Sequence, residues 1–197
     1  LFQKGEDCSD AIKSYINYRE QNPLIEFYHS ILPLIIQDDT QYVGISVNYS
    51  GQIIPAITLA ALIKKAFSRV KIIFGGSLFP AYANKISALN IFAEYSDALI
   101  IYAGEYPWNN IIEYDTLDYI PGCMRSNGHS FIHNNLPHPQ IKRALPDFSD
   151  YSLQRYLVPH NILPYAMSIG CYWGKCSFCG YQSYKDICVK RYAQNDI

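Results

Sequence analysis

The first part of the chain alternates short apolar runs with longer stretches whose apolar residues recur at helical spacing. Two stretches, 10–19 and 24–36, have the helical pattern, and the breaking dipeptide Asn22-Pro23 separates them. An apolar, β-branched run at 42–47 then ends at the turn-forming tetrapeptide Asn-Tyr-Ser-Gly, which is typical of a strand buried on both faces. These patterns predict two helices followed by the first strand of a sheet.

The same alternation then repeats. Residues 55–68 have helical spacing and end in basic residues, and a second apolar run at 70–74 ends at a Gly-Gly pair. A helix-like stretch at 80–93 and a third apolar run at 98–102 follow. Strand, helix and strand within about thirty residues predict a βαβ unit, whose right-handed crossover makes its strands parallel. We therefore predict a doubly wound, parallel α/β sheet of Rossmann-like type.

Beyond the third run the composition changes. A short helix is predicted at 108–114, and Asn127-Gly128 predicts the turn of a hairpin. A stretch rich in Asn, Pro and His follows, and then an apolar run at 164–169 that predicts the first strand of a new domain. The three predicted parts are an α/β domain, a linker and the start of a second domain, at 1–135, 136–160 and 161–197.

Composition and charge narrow the class of protein. Hydrophobic residues make up 49% and charged residues 17%, which predicts a globular chain rather than a disordered one. The formal net charge of -1 gives no long-range field, so we expect neither nucleic acid nor a membrane surface as partner.

No run approaches the roughly 20 apolar residues of a membrane span, and the start lacks a signal peptide, so we expect a cytoplasmic location. From its first residue, Leu1, and its early end after the last cysteines, we expect a piece of a longer protein.

Three of the six cysteines crowd into nine residues directly after the predicted strand. Cys171, Cys176 and Cys179 have the spacing C-x4-C-x2-C, with Gly174 in the first interval. Iron in clusters prefers thiolates, and a tight loop lets three sulfurs converge. Three ligands for four irons leave one iron open to a small molecule. One alternative is a zinc-stabilised binding module, in which Cys188 is the fourth ligand of a structural zinc site, and three unrelated buried cysteines are another.

The residues around this loop resemble a known family. The run LPDFSDYSLQRYLVPHNILPYAMSIGCYWGKCSFC at 145–179 is similar to the start of the catalytic barrel in radical S-adenosylmethionine proteins with an N-terminal cobalamin-binding domain. The Lys-Arg-Tyr tripeptide at 190–192 resembles a short motif that follows it. The resemblance implies that the second domain is the first strand of a truncated (β/α) barrel. The commonest spacing in that family has three residues between the first two cysteines, whereas this chain has four, as some cobalamin-linked members do.

The resemblance implies a chemistry. The three cysteines would hold a four-iron four-sulfur cluster whose open iron chelates the amino and carboxylate groups of S-adenosylmethionine, and Phe178 would pack near the adenine. One electron, from a donor such as flavodoxin or ferredoxin, would cleave S-adenosylmethionine to methionine and a deoxyadenosyl radical. The full protein is expected to use it for radical chemistry or methylation on a small molecule or peptide. This piece is expected to be inactive alone, because most of the barrel would lie beyond Ile197.

By the same resemblance, residues 43–78 correspond to the cobalamin-binding domain. Ligands of open parallel sheets bind beyond the carboxyl ends of the strands, where glycines let a bulky group approach the backbone. The residues implied to contact cobalamin are Ser46, Gly75, Gly76 and Gly104. Tight turns are the plainer interpretation of the glycine pair. The sequence departs from methyl-transferring members at 46–48, where they have Ser-x-Leu, and it lacks their Asp-x-His-x-x-Gly element. A cobalamin carrier without radical chemistry, or a domain that lost the cofactor, are the alternatives.

Overall fold

The computed structural model describes residues 8–18, 20–82, 90–101, 103–132, 136, 147–160, 162–163, 173 and 175–177. The chain divides into two compact units, a first unit, Leu1–Pro139, and a second unit, Gln140–Ile197. Within the described residues, no helix has the length and apolar content that a membrane crossing requires.

The described elements of the first unit are five helices and five strands. The helices are α1 (Cys8–Asn17), α2 (Leu24–Ile35), α3 (Ile53–Ala66), α4 (Asn90–Glu94) and α5 (Glu105–Tyr114). The strands are β1 (Tyr42–Ser46), β2 (Lys71–Gly75), β3 (Ala98–Ile100), β4 (Cys123–Ser126) and β5 (Phe131–Ile132). Short 3-10 turns lie at Ser50–Gln52 and Phe79–Tyr82, and the second unit has one at Leu153–Arg155. The predicted strand at 164–169 lies outside the described residues.

The strands form one sheet in the order β1-β2-β3-β4-β5. The first three strands are parallel, as predicted, with Tyr42 beside Lys71 and Ile73 beside Ala98. β4 is antiparallel to β3, and β5 is antiparallel to β4, so the sheet is mixed rather than wholly parallel. The reason is the stretch 115–122, which returns the chain to the carboxyl end of β3, so that Cys123 pairs with Ile100 and β4 runs back.

Helices cover both faces of the sheet, because successive strand residues point to opposite sides. One face carries α1 to α4, and its core includes a ring cluster in which Phe92 meets Phe74 and Phe79 edge to face, at centroid distances of 5.0 and 5.1 Å. On the other face Ile111 of α5 packs with Ile100. Strand order runs in one direction from β1 to β3, so right-handed crossovers place α3 and α4 on the same face. The fold is a mixed α/β sheet compatible with the predicted Rossmann-like type.

Candidate functional site

The carboxyl ends of the three parallel strands meet at one edge of the sheet, and the predicted cofactor residues of the first unit lie there. Ser46 ends β1, is exposed, and lies beside Gly75 at the end of β2. Gly76 follows directly, and Gly104 is the residue before α5 on the loop that leaves β3. The structure therefore brings Ser46, Gly75, Gly76 and Gly104 to the edge of the sheet at which β1, β2 and β3 end. We call it the carboxyl edge.

Gly76 has a structural reason to be glycine. Its φ is +114°, and a Cβ there would lie 2.4 Å from the carbonyl oxygen of Val47. Backbone hydrogen bonds also join the loop after β1 to the loop after β2. The Val47 N–H donates to the Gly75 carbonyl at 2.7 Å, and the Leu78 N–H donates to the Val47 carbonyl at 3.1 Å. The space that Gly76 leaves is thus filled by the backbone of Val47, the residue after β1, which agrees with the interpretation of the glycine pair as a tight turn.

Hydrogen bonds from polar side chains connect the loop after β1 to the loop after β2. The Oδ1 of Asn48 accepts a hydrogen bond from the Ser77 N–H at 3.0 Å, and the Ser77 hydroxyl donates to the Asn48 carbonyl at 3.3 Å. The Oε1 of Gln52 accepts from the N–H groups of Asn48 and Tyr49, at 2.7 and 3.1 Å. Sequence reasoning noted Asn48 only as a departure from the family and missed this bridge. The signal in the sequence was an Asn and a Ser that each lie two residues past the end of a parallel strand.

The edge offers open surface for a large ligand at some of the predicted positions. Nothing lies within 4 Å of a Cβ built on Gly104, and Ser46 and Asn48 are exposed. The exposed rings of Tyr49 and Tyr106 lie on the loop after β1 and in the first turn of α5. Ser46 and Gly104 therefore fit contacts with a bulky cofactor, whereas Gly76 shapes the loop beneath.

The histidines described in the first unit do not lie on these loops. His29 is on α2, and His129 lies in the turn between β4 and β5, at the opposite edge of the sheet. Neither is placed to ligate a cobalt ion at the carboxyl edge.

Two carboxylates that flank β3 have structural roles. The Oδ2 of Asp97 accepts a hydrogen bond from the Ile72 N–H at 2.7 Å, and its Oδ1 lies 3.8 Å from the Nζ of Lys64. Glu105 is exposed in the first turn of α5, where its negative charge interacts favourably with the helix dipole. Asp97 therefore connects the start of β3 to β2, and Glu105 lies at the start of α5.

Cys123 belongs to the core of the α5 face rather than to a site. It is 1% exposed, and burial raises the pKa of its thiol to about 12. Such a thiol stays protonated at neutral pH, and metals bind the thiolate. Cys123 is therefore a buried structural thiol.

The cysteine loop of the second unit is described in part. Cys171, Cys179, Phe178 and the alternative zinc ligand Cys188 lie outside the described residues. Cys176 is half-buried, between the exposed Lys175 and Ser177. The described ranges contain no group of three or more His, Cys, Asp and Glu side chains able to hold a metal, and they include only one of the three predicted ligands. What supports the cluster is the donor set itself, because three clustered thiolates suit iron.

No protein-family model matches the chain, and the search of curated proteins finds no match. The functional conclusion therefore rests on the residues, their spacing and the geometry of the described edge.

Proposed function

We propose that this chain is part of a radical S-adenosylmethionine enzyme. The observation that carries the proposal is the C-x4-C-x2-C spacing of Cys171, Cys176 and Cys179 in the loop CYWGKCSFC. Three thiolates satisfy three irons of a four-iron cluster and leave the fourth for an exchangeable ligand. A structural zinc site or a ferredoxin-type cluster instead requires a complete set of four ligands.

The residues of this chain have distinct tasks in the proposal. The three cysteine thiolates bind the cluster, and Phe178 provides an apolar surface for the adenine of S-adenosylmethionine. The chemistry supplied by the loaded site is one-electron reductive cleavage of S-adenosylmethionine, which yields a radical able to attack an unactivated C–H bond. The substrate, a small molecule or a peptide, would be bound by parts of the barrel that follow.

Cobalamin is the second cofactor of the proposal, and the carboxyl edge of the first unit supports it. Ser46 is exposed there, a Cβ on Gly104 would meet open space, and the hydrogen bonds between Asn48 and Ser77 join the loops after β1 and β2. Bound at this edge, cobalamin would supply a relay for a methyl group. The absence of a cobalt-ligating histidine on the described edge loops means that these residues would hold its periphery rather than its metal.

Anaerobic reconstitution with iron and sulfide tests the cluster. We expect about four irons per chain, and a change in the electron paramagnetic resonance of the reduced cluster when S-adenosylmethionine is added. The triple variant Cys171→Ala, Cys176→Ala, Cys179→Ala should take up none. Cys123→Ala is the matched control, since that thiol is buried in the other unit, and it should bind iron like the parent. Uptake of iron and sulfide by the triple variant would refute the proposal.

A single substitution separates the cluster from the zinc alternative. Cys188→Ala removes the fourth thiolate that a tetrahedral zinc site requires, but it leaves the three proposed cluster ligands. We expect this variant to keep its iron and its brown colour. A colourless parent that holds zinc, and loses it in Cys188→Ala, would favour the zinc-stabilised binding module.

Cobalamin binding is tested by retention of hydroxocobalamin during gel filtration. Gly104→Leu fills open space at the carboxyl edge and should weaken retention. Lys65→Leu, at the end of α3 and at the opposite edge of the sheet, is the control and should retain the cofactor like the parent. Equal retention by both variants would remove Gly104 from the site, and no retention by the parent would remove cobalamin from the proposal. Retention without iron binding would favour a cobalamin carrier.

A further inference from the structure

The turn between β4 and β5 contains the only Asn-Gly pair of the sequence, Asn127-Gly128. Both residues are exposed, and Gly128 has a φ of +89°. An asparagine loses ammonia when the backbone nitrogen of the next residue attacks its side-chain carbonyl carbon, and a glycine at that position has no side chain to hinder the attack. The turn therefore contains the residue pair with the least steric protection against this reaction.

Hydrogen bonds hold the side chain that would be attacked. The Oδ1 of Asn127 accepts from the N–H groups of His129 and Ser130, at 2.9 and 2.8 Å, and the Ser130 hydroxyl donates to it at 3.4 Å. The Asn127 N–H also donates to the Ser130 carbonyl at 3.1 Å. Asparagine side chains commonly close turns through such bonds to the backbone that follows. Rotation of the Asn127 side chain would therefore break bonds that close the turn.

A hydrogen bond also holds the nitrogen that would attack. The Gly128 N–H donates to the Oγ of Ser126 at 3.0 Å, and the Ser126 hydroxyl donates to the carbonyl of Ala93 at 2.6 Å. Ala93 is fully buried in α4, so the turn is joined to the core of the first unit. The Gly128 N–H has to lose its proton before the nitrogen can attack. The bonds through Ser126 therefore oppose the reaction as long as the turn is closed.

We propose that Asn127 is a self-modification site that the closed turn protects, and that it deamidates when the hairpin of β4 and β5 opens. The inference is independent of the proposed cluster and of cobalamin. Parts of a fold with few buried contacts open locally without global unfolding. The described β5 has two residues, Phe131–Ile132, so few ladder bonds need to break for the turn to open.

The reaction in the open turn needs no co-reactant other than water. The Gly128 nitrogen forms a bond to the Cγ of Asn127, and the bond from Cγ to Nδ2 breaks. Nδ2 leaves as ammonia and takes with it the proton that Gly128 loses, so a cyclic succinimide remains. Water then opens the ring at either carbonyl. One opening gives aspartate, and the other gives isoaspartate, whose main chain runs through the former side chain and is longer by one carbon.

The two products affect the hairpin differently. An aspartate at this position keeps an oxygen that accepts from the N–H groups of His129 and Ser130, and its charge strengthens those bonds. In the isoaspartate, the longer main chain shifts the Asn127 N–H away from the Ser130 carbonyl. Deamidation is therefore an irreversible change that, through the isoaspartate, loosens the end of the pair of β4 and β5.

Incubation of the folded chain at mildly alkaline pH, followed by peptide mass spectrometry, tests the proposal. The comparison is a synthetic peptide of residues 125–132, in which no hydrogen bond to α4 holds the turn. We expect the folded parent to deamidate at Asn127 at least about tenfold more slowly than the peptide, which corresponds to the loss of one or two net hydrogen bonds. Faster deamidation in the folded chain would mean that the donors to Oδ1 act as an oxyanion hole, and it would overturn the proposal.

A matched pair of serine variants identifies the protecting bond. Ser126→Ala removes the acceptor of the Gly128 N–H and should raise the rate in the folded chain about fivefold, as expected for one net hydrogen bond. Ser130→Ala removes only the hydroxyl donor at 3.4 Å and keeps both backbone donors, so it should change the rate little. Peptides with the same substitutions should react like the parent peptide. Equal rates for the folded parent and folded Ser126→Ala would overturn the role of Ser126.

Hydrogen exchange of the Gly128 N–H provides a second test that needs no variant. In the parent, urea below the unfolding transition increases local opening, and exchange at Gly128 measures it. We expect the deamidation rate of Asn127 to rise in proportion to this exchange rate. A deamidation rate that stays constant while exchange increases would show that opening does not control the reaction, and the proposal would be overturned without any consequence for the cluster.

Discussion

At the scale of single residues, the carboxyl edge depends on Gly76. The residue has φ of +114°, and the space beside it is filled by the Val47 backbone. Gly76→Ala should therefore lower the free energy of unfolding by about 2 kcal/mol or more, since an L-residue is strained in this conformation and its Cβ would also collide with Val47. Urea unfolding measures the change. Gly104→Ala, with an ordinary φ of -87° and open space, is the control and should change stability little. Equal effects of the two substitutions would contradict the assignment of Gly76 to loop packing.

Two buried or half-buried side chains predict how stability depends on alkaline pH. Burial raises the pKa of Cys123 from 9.0 to about 12, and burial together with the hydrogen bond to Asp115 raises the pKa of Tyr42 from 10.0 to about 12. The unfolded chain loses these protons first, so each group contributes stability that is complete below its ordinary pKa and is lost as the pH rises toward about 12. The free energy of unfolding should therefore fall from about pH 9 upward.

A variant assigns part of this pH dependence. In Tyr42→Phe no phenol can ionise, so its free energy of unfolding should fall less steeply above about pH 10 than that of the parent. Urea unfolding across this range provides the comparison. Parallel curves for the two proteins would show that Tyr42 does not contribute.

At the scale of elements, hydrophobic periodicity predicts the helices and the parallel strands well, and tertiary arrangement less well. The prediction of 24–36 corresponds to α2 at Leu24–Ile35, and the prediction of 42–47 to β1 at Tyr42–Ser46. The antiparallel entry of β4 was not predictable, because it depends on the course of the loop before it. The Trp108 ring of α5, which lies 3.0 Å from a Cβ built on Gly44, is a contact that neither segment indicates alone.

The candidate site divides in the same way. The meeting of Ser46 and Gly75 was predictable, since parallel strands end at a common edge. The bridge between Asn48 and Ser77 was not, because it joins residues 29 positions apart and depends on the register of β1 against β2. Local sequence determines which polar residues follow a strand, but register determines which of them meet.

Asp97 links neighbouring elements, and its removal should be costly. The Ile72 residue is fully buried, and its N–H donates to the Asp97 carboxylate at 2.7 Å. Asp97→Ala leaves that donor without its acceptor, which should lower the free energy of unfolding by about 1–3 kcal/mol. Asp97→Asn keeps an acceptor oxygen and should recover most of the loss. Glu105→Ala, at the start of α5, is the control and should cost about 0.3–1 kcal/mol. A loss in Asp97→Asn as large as that in Asp97→Ala would assign the effect to the charge near Lys64.

At the scale of the whole molecule, the described hydrophobic cores and the proposed cluster ligands belong to different units. Within the part of the chain that the structure describes, the buried core residues lie between Ile16 and Phe131, in the first unit. The three proposed cluster ligands all belong to the second unit. Metal binding stabilises the unit whose ligands it joins. Loss of the cluster should therefore leave the first unit intact.

The two tryptophans of the chain make this prediction measurable, because each unit contains one. Trp108 is half-buried against Gly44 in the first unit, and Trp173 is exposed in the second. Removing iron with a chelator from reconstituted Trp173→Phe should leave the thermal transition of Trp108 fluorescence unchanged, because the core residues described around Trp108 include none of the proposed metal ligands. In Trp108→Phe the same treatment should change the fluorescence of Trp173, whose neighbour Cys176 loses its iron. A lower Trp108 midpoint after chelation would mean that the cluster also stabilises the α/β sheet.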